Sequence, residues 1–210
     1  MRAFILTWEY PPRIVGTIAH RVNKLAQGLS QGGLDTYVIT FHDHWTGLHL
    51  EPNGVKVWRV TNPVKTHINI LTWDLTLMTE FVRVASDIYY SVHGEVDLVD
   101  AHEWLCVTAA VSLKKTFDIP FIYTIYSLED HRSSDVSAPL SVAIKNLEQL
   151  GMYEAERMVV GSQWMKGEIC RIHGVPYEKV DIVPPNTSSY ITDIVKVYER
   201  VMTHQELRKN

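Results

Sequence analysis

The chain alternates short, wholly apolar runs with longer stretches whose apolar residues recur every three or four positions. Arg2 to Thr7 (RAFILT) reads as a strand buried on both faces, since no polar residue interrupts its middle. Residues 16–32 follow with Ile18, Val22, Leu25 and Leu29 at helical spacing, and Gly32-Gly33 closes that helix. Strands are predicted at 36–41 and at 55–60, the second after the turn at Pro52-Asn53-Gly54. A long helix over 71–92 leads into a strand at 97–101. Helix 104–117, strand 120–126, helix 138–155, strand 157–161, helix 162–173 and strand 179–183 continue the order. A last helix spans 189–205, with Ser189 placed to cap it, Asp193 suited to its N-terminal dipole, and Ile191, Ile194, Val195, Tyr198 and Val201 as its apolar stripe.

Strands that alternate with helices predict an α/β fold: a single Rossmann-like, doubly wound parallel sheet with helices on both faces and right-handed crossovers. In such sheets ligands bind beyond the carboxyl ends of the strands, where strand order reverses. The segments to inspect are therefore Trp8 to Gly16, His42 to Trp45, His102 to Trp104, Tyr126 to His131, Gly161-Ser162 and Pro184 to Thr187, which are rich in His, Trp, Glu, Ser and Gly.

Bulk properties narrow the picture modestly. The 210 residues suit one domain with a sizeable core. A formal net charge of -4 argues against a nucleic-acid partner, and no apolar run approaches the roughly 18 residues of a membrane helix. Cys106 and Cys170 stand far apart without metal-ligand spacing and read as reduced thiols. Met1 to Thr7 runs directly into a strand pattern, unlike a signal peptide, so a soluble, cytoplasmic protein is expected.

The most specific segment is the first loop, Trp8-Glu9-Tyr10-Pro11-Pro12-Arg13-Ile14-Val15-Gly16. Paired prolines stiffen a long strand-to-helix connection. Gly16 either starts the helix or lets a ligand approach backbone N–H groups able to hold an anion. WEYPPRIVG resembles the opening of bacterial and archaeal glycogen synthases and related retaining glycosyltransferases of the GT-B fold. Further segments resemble the same family in order: Asp100-Ala101-His102-Glu103-Trp104, Tyr123-Thr124-Ile125-Tyr126-Ser127-Leu128-Glu129, Val159-Val160-Gly161-Ser162, Gly174-Val175-Pro176 and Lys179-Val180. The resemblance covers residues 1 to about 186 and is to the N-terminal, acceptor-side domain.

It implies that residues 1–186 bind a carbohydrate acceptor (an α-glucan or oligosaccharide), and that 187–210 form a helix packing back on the same domain. It also implies that the donor-binding half is lacking, so that the chain alone does not complete glycosyl transfer without a nucleotide-binding partner chain. No cofactor is implied, and no residue can be named as acid, base or nucleophile. Expected substrate-binding residues are Gly16, Thr17, His102, Glu103, Trp104 and Tyr126. His102 matches the family position that contacts the transferred sugar. Glu103 replaces the usual Asp and could instead cap the helix that begins at Trp104, while Trp104 could stack on a sugar or pack. Thr17-Ile18 replaces the family's Gly-Leu and Tyr126 its His, both on the donor-facing side. The competing reading is a non-catalytic sugar-binding or structural protein that forms a homo-oligomer across the former cleft; an epimerase on this fold would need the same missing half. His42-Asp43-His44 places two imidazoles on one face of an extended segment, yet reads as a polar rim loop rather than a metal site. Residues 130–135 read as a mobile loop at the cleft edge.

Overall fold

The computed structural model describes residues 1–209. Its sheet comprises β1 (Arg2–Thr7), β2 (Asp35–Phe41), β3 (Gly47–Leu50), β4 (Lys56–Val60), β5 (Leu98–His102), β6 (Phe121–Ile125), β7 (Arg157–Val160) and β8 (Val180–Ile182). The order is β3-β4-β2-β1-β5-β6-β7-β8, parallel throughout except for β3, which runs antiparallel to β4 at one edge. The helices are α1 (Thr17–Gln31), α2 (Ile70–Ser91), α3 (Val107–Phe117), α4 (Glu129–Arg132), α5 (Pro139–Glu154), α6 (Gln163–His173) and α7 (Tyr190–Lys209). This is an α/β, Rossmann-like doubly wound sheet with helices on both faces, as the alternation predicts. The sequence pattern misses β3: it is a four-residue, mostly exposed edge strand with no buried face to leave a periodic trace.

Because side chains alternate along a strand, each strand feeds two separate cores. Phe4, Leu6, Ile39, Val99, Phe121 and Val160 face a core shared with α2, α3, α5 and α6. Ala3, Ile5, Leu98, Ile122 and Val159 face the other side, where α1 and α7 lie. Helix α7 buries Tyr190, Ile194, Val197, Tyr198 and Val201 there. Val195 and Ile191 of the predicted stripe pack only partly, so the buried face is turned toward Val197. Two helix glycines record close helix contacts. A Cβ at Gly28 of α1 would lie 2.5 Å from Ile191 of α7, and one at Gly151 of α5 would lie 2.6 Å from Val107 of α3.

Strand order reverses between β1 and β5, which are parallel neighbours with Leu6 opposite Ala101. From this point β1 leads to α1 on one face, while the chain after β5 returns through α3 on the other. The loop after β1 and the segment after β5 thus leave the sheet side by side, at the place where such sheets open a crevice.

Candidate functional site at the strand-order reversal

Glu9 is 1% exposed, and its Oε2 accepts from the N–H groups of Val15 (2.6 Å) and Gly16 (2.7 Å). Two of the amides that sequence reasoning offered to an anionic ligand are therefore already held by the chain's own carboxylate. The rest of the loop is braced from several elements. The Tyr10 hydroxyl bonds Asn23 and Glu51, Arg59 donates to the Pro11 carbonyl, and the Pro11–Pro12 peptide is cis. Arg13 pairs with Asp43 at 2.9 Å and lies over the rings of Trp8 and Phe41. Gly16 has an extended backbone (φ -146°), and a Cβ there would meet Glu9 Oε1 at an ordinary 3.5 Å. The local fold does not itself demand glycine at this position. Gly16 and Thr17 are exposed, as are Ile14 (51%) and Val15 (57%) before them.

The β5 side is closed. Asp100 and His102, two apart on one strand, point to the α1/α7 face and are both fully buried. Asp100 accepts hydrogen bonds from Thr124 (2.8 Å) and from Tyr198 of α7 (2.6 Å). His102 Nδ1 shares a 2.8 Å hydrogen bond with the Tyr126 hydroxyl, and the two rings lie nearly parallel. His102 Nε2 sits 3.5 Å from Asp100 Oδ2, an electrostatic contact, and makes no hydrogen bond. Burial pushes the Asp100 carboxyl up, but His102, Tyr198 and Thr124 together pull it below its ordinary value.

Glu103 adopts φ 68°, a left-handed conformation uncommon for a residue with a side chain. Its carboxylate does not cap the turn that begins at Trp104, contrary to that alternative. Oε1 instead accepts from the N–H groups of Tyr126 (2.7 Å) and Ser127 (2.9 Å), and Oε2 lies 3.4 Å from Arg132. Glu103 thus ties the loop after β6 to the end of β5. Desolvation raises its pKa although Arg132 opposes this. Trp104 is packed with Leu105 and Ile144, against Trp8 and Trp73.

Of the six predicted binding residues, Gly16 and Thr17 are exposed, Tyr126 is partly so, and His102, Glu103 and Trp104 are buried. Arg21 of α1 lies over the Tyr126 ring at 5.2 Å, joining the β1 and β6 sides. Sequence reasoning did not single out Glu9, Asp100 or Tyr198. An Asp inside an otherwise apolar strand was the available signal, because a buried carboxylate needs partners.

Of the two rim expectations, the polar loop at 42–44 stands and the loop at 130–135 changes. His42 Nδ1 accepts from the N–H groups of His44 and Trp45 and its ring stacks on Trp45, so the 42–44 segment is a hydrogen-bonded turn. Residues 130–135 are not simply a loop, since Asp130, His131 and Arg132 belong to α4. Arg132 there pairs with Glu129, Glu148 and Glu103. The polarity that suggested a rim loop serves a partly buried ionic network.

The family described as glycosyl transferase 4-like domain matches residues 16–186. Over 198 residues the chain is 31% identical to an uncharacterized glycosyltransferase of Methanocaldococcus jannaschii, covering 92% of this chain and 48% of the relative. It is 24% identical over 196 residues to a glycogen synthase of Mycobacterium tuberculosis, covering 87% and 47%. The chain spans about half the length of the curated relatives it matches. Among solved structures, sucrose-phosphate synthase from Thermosynechococcus elongatus matches with TM-score 0.71 at 14% identity, over 87% of this chain and 47% of that one. A shorter form of the same synthase matches 95% of this chain and 98% of its own, with TM-score 0.69 at 14% identity. These structural matches show the shared fold, and the match over 16–186 shows the family: the chain belongs to the glycosyl transferase 4-like domain family.

Proposed function

We propose that this chain is the acceptor-side module of a retaining glycosyltransferase, binding a sugar or α-glucan at the β1/β5 reversal, with the nucleotide-sugar held by a second domain or chain. The observation that carries the reading is the pairing of β1 with β5. It sets an exposed loop ending at Gly16-Thr17 beside a rigid, hydrogen-bonded His102-Glu103 segment. Glycine at a position whose backbone does not require it fits a site kept clear for a ligand. The braced Tyr126–His102–Asp100 line is suited to fixing the orientation of whatever enters. Transfer itself would rest on stabilising the departing diphosphate from the donor side.

Calorimetric titration with maltooligosaccharides, UDP-glucose and ADP-glucose tests this. Maltooligosaccharide binding is expected, weakened at least tenfold by Thr17→Trp, a change at an exposed position that leaves the core intact. Nucleotide-sugar binding by this chain without glucan binding would overturn it. The alternative, a non-catalytic protein that self-associates across the crevice, draws on the apolar rim, where Ile14 and Val15 are exposed on the loop after β1. A strictly monomeric mass in solution would remove that alternative.

A further inference from the structure

Away from the strand-order reversal, three helices converge on a second polar cluster. Asp130 of α4, Glu148 of α5 and His173 at the end of α6 each place one ligand-capable atom within 4.8 Å of the other two. Each also contributes a buried atom with no hydrogen-bond partner: Asp130 Oδ2, Glu148 Oε2 and His173 Nε2. Glu148 is fully buried. Three such groups at one place are costly unless something joins them.

The two carboxylates are each anchored through their other oxygen. Asp130 Oδ1 accepts from Lys145 (2.8 Å), and Glu148 Oε1 accepts from the Glu129 N–H (2.8 Å) and from Arg132 (2.7 Å). A carboxylate tied by one oxygen and free at the other is arranged as a single-point metal ligand with its orienting partner in place. The formal charge points the same way. Glu103, Glu129, Asp130 and Glu148 face the two cations Arg132 and Lys145, an excess of two carboxylates that one dication balances. A surface pocket of about 300 Å³ lined by Lys145, Gln149 and His173 opens beside the cluster and gives an entry path.

The geometry points to a site for a divalent transition-metal ion of the zinc type, bound by Asp130, Glu148 and His173. One imidazole nitrogen and two carboxylate oxygens, with a fourth position for water, suit that class of ion. The ion pins α4, α5 and α6 together and acts structurally, apart from the sugar site. By fixing α4 it also steadies the Arg132–Glu103 contact.

Protein freed of metal by chelator and dialysed is titrated with zinc chloride by calorimetry, and its melting temperature is followed. One ion per chain and a raised melting temperature are expected. His173→Ala and Asp130→Asn, each verified as folded by circular dichroism, weaken binding at least tenfold. His131→Ala, at a neighbouring histidine paired with Glu168, leaves it unchanged. Absence of saturable zinc binding overturns the proposal and leaves a proton on Glu148 as what joins the cluster. Zinc binding retained in His173→Ala, or lost in His131→Ala, overturns it equally.

Discussion

Asp74 and Asp100 are both fully buried, one on each side of the sheet, and they behave in opposite ways. Asp100 has Thr124, Tyr198 and His102 around it, and its carboxyl is held below the ordinary value despite the burial. Asp74, on α2 against the larger core, has no hydrogen-bond partner on either oxygen, and burial pushes its pKa up to about 8. Depth is the same; what differs is whether dipoles and charges replace the water removed. A buried carboxylate therefore marks organised electrostatics only where its partners can be named, as they can around Asp100.

Three substitutions sharpen this contrast. The largest effect is expected from Asp100→Ala, which strands His102, Thr124 and Tyr198 and costs on the order of 4 kcal/mol in urea unfolding at pH 7. Asp100 titrates below its unfolded value near 3.8, so its contribution is complete above that pH and is lost as pH falls through the lower folded value. The gap between wild type and variant should accordingly close in acid. A gap that persisted unchanged at pH 2 would sink the argument.

Asp74→Asn is expected to do the reverse. The unfolded chain releases this proton near 3.8 and the folded chain near 8, so the native state is penalised progressively across that window as pH rises. The shift represents about 5 kcal/mol at pH 8, of which the variant should recover on the order of 3 because the buried asparagine amide is itself left without partners, and almost nothing at pH 4. A pH-independent difference would mean that Asp74 has partners in solution. The smallest effect belongs to Tyr198→Phe, which removes one hydroxyl from Asp100 and costs about 2 kcal/mol, the range for a hydrogen bond to a charged acceptor. A double-mutant cycle with Asp100→Ala should then show that most of the Tyr198 effect disappears, since the two act through one contact.

The parts of this molecule legible in its sequence are those written in periodicity. β1 and β5 through β7 appear as apolar runs because both faces are buried, and α1 shows its stripe because only one face is. Residues whose role depends on a partner far along the chain leave no such trace. Tyr198 reads as one more apolar stripe position until its hydroxyl is found on Asp100, 98 residues earlier. Glu103 reads as a helix cap by local rules but bonds a loop some two dozen residues on. Asp130 and Arg132 look like solvent-exposed polarity, because sequence cannot show that Glu148 waits on the neighbouring helix. The resemblance to glycosyltransferases pointed to the family that the match over residues 16–186 shows. Which of its residues are reachable by a ligand, and which are framework, became visible only with the packing.

The position of α7 also bears on how this chain leaves the ribosome. Leu98, Ile122 and Val159 form a sheet face whose cover arrives with Ile194, Val197 and Tyr198. Between Asp100 and Tyr198 lie 98 residues of synthesis, which at cellular elongation rates is on the order of 5–20 s. Throughout that interval an apolar strip and a carboxylate lacking its hydroxyl partner have no native cover. The nascent domain is then exposed to aggregation and open to chaperones, and its two cores close in turn: the α2/α3 side once Ile169 and Val180 are made, the α1/α7 side only when the helix beginning at Tyr190 emerges.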